Sequence, residues 1–450
     1  MSAGVRACAL LATALASACG DDRPRDALVE AVGGTRLAPT WIAYDDGARQ
    51  LVPDQLYDRH EHTPCAPAAW RGGALRCVPI AAEAVYVDAA CTEVVGRASG
   101  LVPPTHFLLH ERVDGAVALA HVYRAGAPRS PIGTFYERRD GACVGPFTAD
   151  PDRRDVTIAS EVAVEELAAL VPGEIGGGRI AVTVLTSDDG LRLPTTLRDR
   201  ELDATCTPSP EPDGVVRCRP VAAATSWFSD DACRHPVAVV EAGAPAPPVL
   251  EVVEPDGCPR YYRVGSALPG PFYRRDGDFC QPVPIGHGAR AYDAGAAIAL
   301  AELHRTVEDV PRRRLQRIVL GADDVEVTAT RMYDAAIAAD CTPAELGDGV
   351  RCLPASIATT TTLFVSPRCV APIDVAILPQ RTCAPVRFAR AAGAAPDQLR
   401  TIGDAPTTPL YQHVPGACFP YQPAPGRVPF ALGPVLPADV FVGGVRFGER

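Results

Sequence analysis

Apolar and polar residues alternate in short runs along most of the chain, and Gly, Pro and Asp-Gly pairs separate the runs. Thr40-Trp41-Ile42-Ala43-Tyr44 leads into Asp45-Asp46-Gly47 and then into a second run. Val85-Tyr86-Val87, His106-Phe107-Leu108-Leu109, Ala116–Leu119 and Thr134–Glu137 follow the same pattern. A period of two puts successive side chains on opposite faces of a strand, so the chain reads as all-β. Asp-Gly supplies the positive φ that tight hairpins need. Asp188-Asp189-Gly190 repeats that signal, whereas Asp323-Asp324-Val325 has lost the Gly and predicts a looser turn. Three short apolar-acidic segments, Val164–Leu167, Leu300–Leu303 and Pro437–Val440, read as single helical turns.

The strand pattern recurs three times. An Asp stands seven residues before a Cys at Asp58 and Cys65, Asp199 and Cys206, and Asp334 and Cys341. A second Cys follows an Arg at Arg76-Cys77, Arg217-Cys218 and Arg351-Cys352. A third follows an aromatic residue: Tyr86 before Cys91, Phe228 before Cys233, Phe364 before Cys369. A fourth stands seven residues after a Tyr: Tyr136 and Cys143, Tyr273 and Cys280, Tyr411 and Cys418. Strand starts at Arg36-Leu37, Arg179-Ile180 and Arg317-Ile318 open the copies. The divisions are a leader at 1–18, a polar tether at 19–32, repeats at 33–175, 176–313 and 314–442, and a candidate closing strand at 443–450. Gly443-Gly444-Val445-Arg446-Phe447 resembles Gly33-Gly34-Thr35-Arg36-Leu37, as if a fourth copy began there and closed a ring against the first. Tyr57 before Cys65 and Tyr136 before Cys143 hint at two related half-units per copy. Six half-units of about four strands predict a six-bladed β-propeller. Three consecutive β-sandwich modules are the alternative.

The first residues add an address. Arg6 and an apolar run from Ala7 to Ala18 have the form of a secretory signal peptide. Leu15-Ala16-Ser17-Ala18-Cys19-Gly20 resembles a bacterial lipobox. The resemblance implies that Cys19 is acylated and becomes the first mature residue. Gly20, rather than Asp, after the Cys implies the outer membrane, with the protein periplasmic or surface-exposed. The apolar run is shorter than the roughly 20 residues needed to span a bilayer.

Cysteine usage agrees with export. Of the 16 Cys, Cys8 leaves with the leader and Cys19 carries lipid; the remaining even number reads as a disulfide framework. Cys65–Cys77, Cys206–Cys218 and Cys341–Cys352 each flank an apparent hairpin and are the expected bridges. Cys91 with Cys143 is then the remaining pair of copy one. The pairing of Cys233, Cys258, Cys280, Cys369, Cys383 and Cys418 stays open. The chain contains no Lys and no Asn, and its net charge is −11. An acidic surface repels nucleic acid.

Motifs for chemistry are few. His60-Glu61-His62 could put two imidazoles on one strand face, but no third ligand is evident and a solvated loop is expected. Asp58, Asp199 and Asp334 read as turn caps. The Asp-Asp turns lack the oxygen spacing of an EF-hand loop and read as plain turns. Arg312-Arg313-Arg314 with Arg317 reads as a solvated basic run. No G-x-S-x-G, H-E-x-x-H or Walker motif occurs, so no catalytic residue and no cofactor is assigned. The expectation is a lipid-anchored envelope protein with a binding or structural role. Its partners are the membrane through Cys19 and an envelope protein or polysaccharide, with no nucleic acid. A propeller-type hydrolase acting on extracellular carbohydrate or other polymer and a metal-binding envelope protein are the alternatives.

Overall fold

The structure is a computed structural model. It describes residues 28–448 apart from 71–72, 100–103, 114–115, 212, 254–257, 277–278, 347–348, 380–385, 392, 396–397 and 424–425. The leader, Cys19 and Cys383 lie outside the described residues. Strands dominate, and the helices among the described residues are two 3-10 turns, Val164–Glu166 and Ala438–Val440. The segment 300–303 of repeat two forms no such turn; a strand starts there at Glu302.

The sheet order corrects the propeller. Each repeat contributes five strands to one continuous ladder. In repeat one these are Leu37–Tyr44, Arg49–Asp58, Thr63–Ala69, Leu75–Pro79 and Ala169–Ile175. In repeat two they are Ile180–Thr186, Arg192–Asp199, Ala204–Pro210, Val216–Pro220 and Glu302–Glu308. In repeat three they are Leu315–Ala322, Val325–Asp334, Ala339–Leu346, Gly349–Pro354 and Gly443–Gly448. The fifth strand of each repeat pairs antiparallel with the first strand of the next. The last of these pairings, Trp41 opposite Phe447 and Ala43 opposite Val445, closes the ladder on itself. Gly443–Gly448 therefore holds the place of Ala169–Ile175 and Glu302–Glu308; it ends repeat three and does not begin a fourth copy. A short strand, Leu28–Val29, adds in parallel to the second strand of repeat three.

Between its fourth and fifth ring strands each repeat carries a separate sheet. The three sheets lie within 82–161, 223–297 and 357–435 and have seven, eight and seven strands. A repeat thus consists of two unlike parts, not two related half-units.

Sandwich modules in a row are corrected as well, because no repeat completes its own ring core. Leu37, Leu56, Cys65, Cys77 and Leu170 of repeat one pack with Leu185, Leu191 and Leu193 from the first hairpin of repeat two. Leu197, Cys206, Val216 and Leu303 of repeat two pack with Leu320, Val325 and Val327 from repeat three. Leu315, Met332, Cys341 and Val442 of repeat three pack with Ile42, Tyr44 and Val52 from repeat one. Burial of these side chains is what drives the hairpins into their neighbours, at about 25 cal/mol per Å² of apolar surface.

Six bridges are present among the described residues. Cys65–Cys77, Cys206–Cys218 and Cys341–Cys352 cross the third and fourth ring strands. Each runs diagonally, for each Cys faces a Pro: Cys65 opposite Pro79, and Pro67 opposite Cys77. Cys91–Cys143, Cys233–Cys280 and Cys369–Cys418 staple the three inserted sheets. Cys258 is also disulfide-bonded. The bridges suit an oxidising compartment, extracellular or periplasmic. No helix among the described residues is long and apolar enough to cross a membrane.

Candidate functional site: the repeat junctions and the cavity between repeats two and three

The repeated aspartates are buried ion pairs. Asp58, Asp199 and Asp334 are 1%, 0% and 0% exposed. Each meets an Arg at the start of the first strand: Arg36, Arg179 and Arg314, all at 2.7 Å. The same guanidiniums donate to the backbone carbonyls of Glu166, Ala299 and Val440. Each aspartate also accepts backbone amides of the following turn: His60 and Glu61, Glu201 and Leu202, and Ala336. One carboxylate thus fixes a hairpin, a strand start and the chain returning from the insert. The equivalent of Arg36 in repeat three is Arg314, so the basic run is not simply solvated and the strand start is Arg314-Leu315. Arg317 instead pairs with Glu308 and Glu30 at the surface.

The Asp-Asp turns are clasps between repeats. Asp189 of repeat two accepts the backbone amides of Arg36 and Leu37 at 2.7 and 2.6 Å. Asp323 of repeat three accepts that of Arg179 at 2.8 Å. Asp46 of repeat one accepts that of Leu315 at 2.7 Å, which returns the cycle to its start. Burial opposes the charge on Asp189, but hydrogen bonds from Ser187, Leu37 and Arg36 hold its carboxyl below the ordinary range. A Cβ at Gly34 would overlap the Asp189 carboxylate, and one at Gly178 would overlap that of Asp323. The turn of repeat three is tighter than expected without its Gly: Ala322 pairs with Val325 across two residues, and Asp323 takes φ 51°. Asp tolerates that left-handed conformation better than most residues.

His60-Glu61-His62 is only partly the solvated loop expected. His60 and His62 are exposed, while the Glu61 carboxylate is 6% exposed. Glu61 meets His106 Nε2 at 3.3 Å and Arg124 Nη2 at 2.9 Å, and Arg124 also pairs with Glu166. Leu202 and Ile337 stand at the corresponding positions of the other repeats. Leu202 is buried against Val249 and Tyr261, so repeat one replaces an apolar contact with an ionic one. Burial pushes the His106 imidazole below its ordinary 6.5, with the Glu61 contact opposing. Burial would raise Glu61, but Arg124 and His106 outweigh it and hold the carboxyl low. Folding therefore favours neutral His106 and ionised Glu61. Both contributions are complete above the unfolded values and shrink as pH falls through them. The midpoint of thermal unfolding should accordingly fall between pH 7 and 5.5, and a His106→Gln variant should fall less steeply. Parallel curves would contradict this assignment.

A cavity of about 590 Å³ opens mainly between repeats two and three, with Leu51 and Pro53 of repeat one also on its wall. Its apolar wall includes Val182, Leu197, Val216, Leu320 and Val327, members of the core that repeats two and three share. The donated hairpins differ in what they bring. Repeat one supplies Ile42, Tyr44 and Val52 to its neighbour, with the Tyr44 hydroxyl bonded to Gln50 at 2.6 Å. Repeat three supplies Leu320, Val325 and Val327, and Tyr333 of the same hairpin packs against them. Polar groups complete the wall. Arg305 pairs with Asp340 at 2.6 Å and lies 5.5 Å above the Tyr333 ring. Arg387 donates to the carbonyls of Ile337 and Ala338. Arg331 also lines the cavity. Of the residues singled out by sequence, Cys206 and Ile318 reach this wall. The other lining residues carry no motif; the available signal was divergence among repeats, for Gln55 and Thr196 stand where Arg331 stands. Among the described residues no group of three or more His, Cys, Asp or Glu is placed to hold a metal ion.

These features define a class: a disulfide-stapled, all-β repeat protein with clasped repeats and a cavity at a repeat junction. A family model described as a family of unknown function (DUF7481) matches residues 11–441, and the chain belongs to that family. No curated protein and no solved structure matches it.

Proposed function

We propose that the protein is a lipid-anchored component of the cell envelope that binds a small molecule in the cavity between repeats two and three. The cavity carries the binding part of this reading: its volume falls in the roughly 300–1,000 Å³ range of small-molecule sites, and it joins an apolar wall to a few polar groups. The lipobox-like Leu15–Cys19 supports the anchor, and the family match begins before it, at residue 11. The disulfides suit the envelope.

The uncharged fluorophore N-phenyl-1-naphthylamine tests the cavity. The expected result is saturable, single-site fluorescence enhancement that is lost when Ala329→Trp fills the space. No enhancement, or enhancement indifferent to Ala329→Trp in a folded variant, overturns the binding reading. A Cys19→Ala variant is expected to lose acyl labelling and leave the membrane fraction; retention at the membrane overturns the anchor.

A further inference from the structure

We infer that the cavity selects an anionic amphiphile, with its apolar body against Val182, Leu320 and Val327 and its anionic group at Arg331 and Arg387. This rests on the cavity being a binding site. Three guanidiniums, Arg305, Arg331 and Arg387, line it in a chain whose net charge is −11. Arg305 is neutralised by Asp340. Glu211, the other carboxylate on the wall, is engaged by Arg219 at 3.2 Å. Arg387 makes hydrogen bonds to carbonyls but no ion pair with a described carboxylate, and Arg331 makes neither. An unpaired guanidinium on an apolar wall favours a carboxylate or phosphate, which it can grip through two parallel hydrogen bonds.

Arg331 lies where its strand shifts register, between Thr328 opposite Val319 and Met332 opposite Arg317, and it lines the cavity together with Val327, Ala329 and Tyr333. Val327 belongs to the core of this unit, and Ala329 and Tyr333 pack against it. The Arg331 charge is therefore set beside apolar side chains of the cavity wall. Neither other repeat has a cation at this position, since Gln55 and Thr196 replace it. The corresponding units should then lack the anion preference.

Displacement of bound N-phenyl-1-naphthylamine by dodecanoate, dodecyl phosphate, dodecanol and dodecyltrimethylammonium tests the inference on the full chain. At least one anion is expected to displace the fluorophore about tenfold more tightly than dodecanol, the equivalent of about 1.4 kcal/mol, and the cation to bind weakest. The two anions separate a carboxylate ligand from a phosphate one. In Arg331→Ala/Arg387→Ala, the advantage over dodecanol should vanish while dodecanol itself changes less than twofold. Equal displacement by all four, or an anion preference that survives the double variant, overturns the inference. If the fluorophore never binds, it is the cavity reading that fails. Arg331→Gln/Arg387→Gln, which retains polarity without charge, should match the alanine variant; a Gln variant with the wild-type preference also counts against it.

Discussion

A chain that stops at Val435 should lose cooperative folding of the ring. The missing segment carries the fifth strand of repeat three, Gly443–Gly448, which pairs with the first strand of repeat one on one side and the fourth strand of repeat three on the other. It also carries Phe441, 1% exposed in a core with Leu353 and Leu399, and Val442 in the core shared by repeats three and one. Loss of a buried Phe alone costs about 3–5 kcal/mol. Two exposed strand edges add unpaired backbone groups and invite association. The combined loss of more than about 5 kcal/mol rivals the whole stability of an ordinary domain. Denaturant unfolding followed by Trp fluorescence should show a broad or absent transition, with aggregation at micromolar protein. A truncated chain with an unchanged midpoint and slope would contradict the ring.

Arg314→Ala should be the most damaging single change outside the apolar core. It strands the Asp334 carboxylate, fully buried, without its cation and releases the Val440 carbonyl. Removing one partner of a buried pair costs about 3–5 kcal/mol; partial exposure of the Arg314 side chain places this case near the lower end, about 3 kcal/mol. Arg317→Ala, three residues on, removes only ion pairs to the half-exposed Glu308 and the exposed Glu30, and should cost within about 1 kcal/mol. Urea midpoints of the two variants compare them directly. Equal losses would contradict the assignment of Arg314, rather than Arg317, as the repeat's structural arginine.

That pair of residues shows where reading the chain succeeds and where it stops. The Asp58, Asp199 and Asp334 spacing to Cys is legible because a buried ion pair and a bridge must both sit at fixed positions on neighbouring strands. The matching Arg in repeat three is ambiguous, because four arginines crowd 312–317 and only burial distinguishes them. Alternation identifies strands but not their neighbours. Leu185 and Leu191 look like the core of their own repeat, yet they complete the core of repeat one. The Asp-Asp turns hold that exchange in place, and an Asp near a turn has the same sequence signature whether it caps its own loop or another repeat's strand. Glu61 looks solvated because it lies between two exposed histidines, while its partners His106 and Arg124 are distant in sequence. The cavity leaves no motif, since its cations come from separate elements.

Closure of the ladder is the claim on which the shared cores and the cavity both depend. Native-state hydrogen exchange resolved to residues 443–447 measures it. Closure predicts that the amides of this segment are protected together with those of 37–44 and exchange at the rate of the ring core. Exchange of 443–447 within seconds at neutral pH, as for an unpaired tail, while 37–44 stays protected, would contradict it.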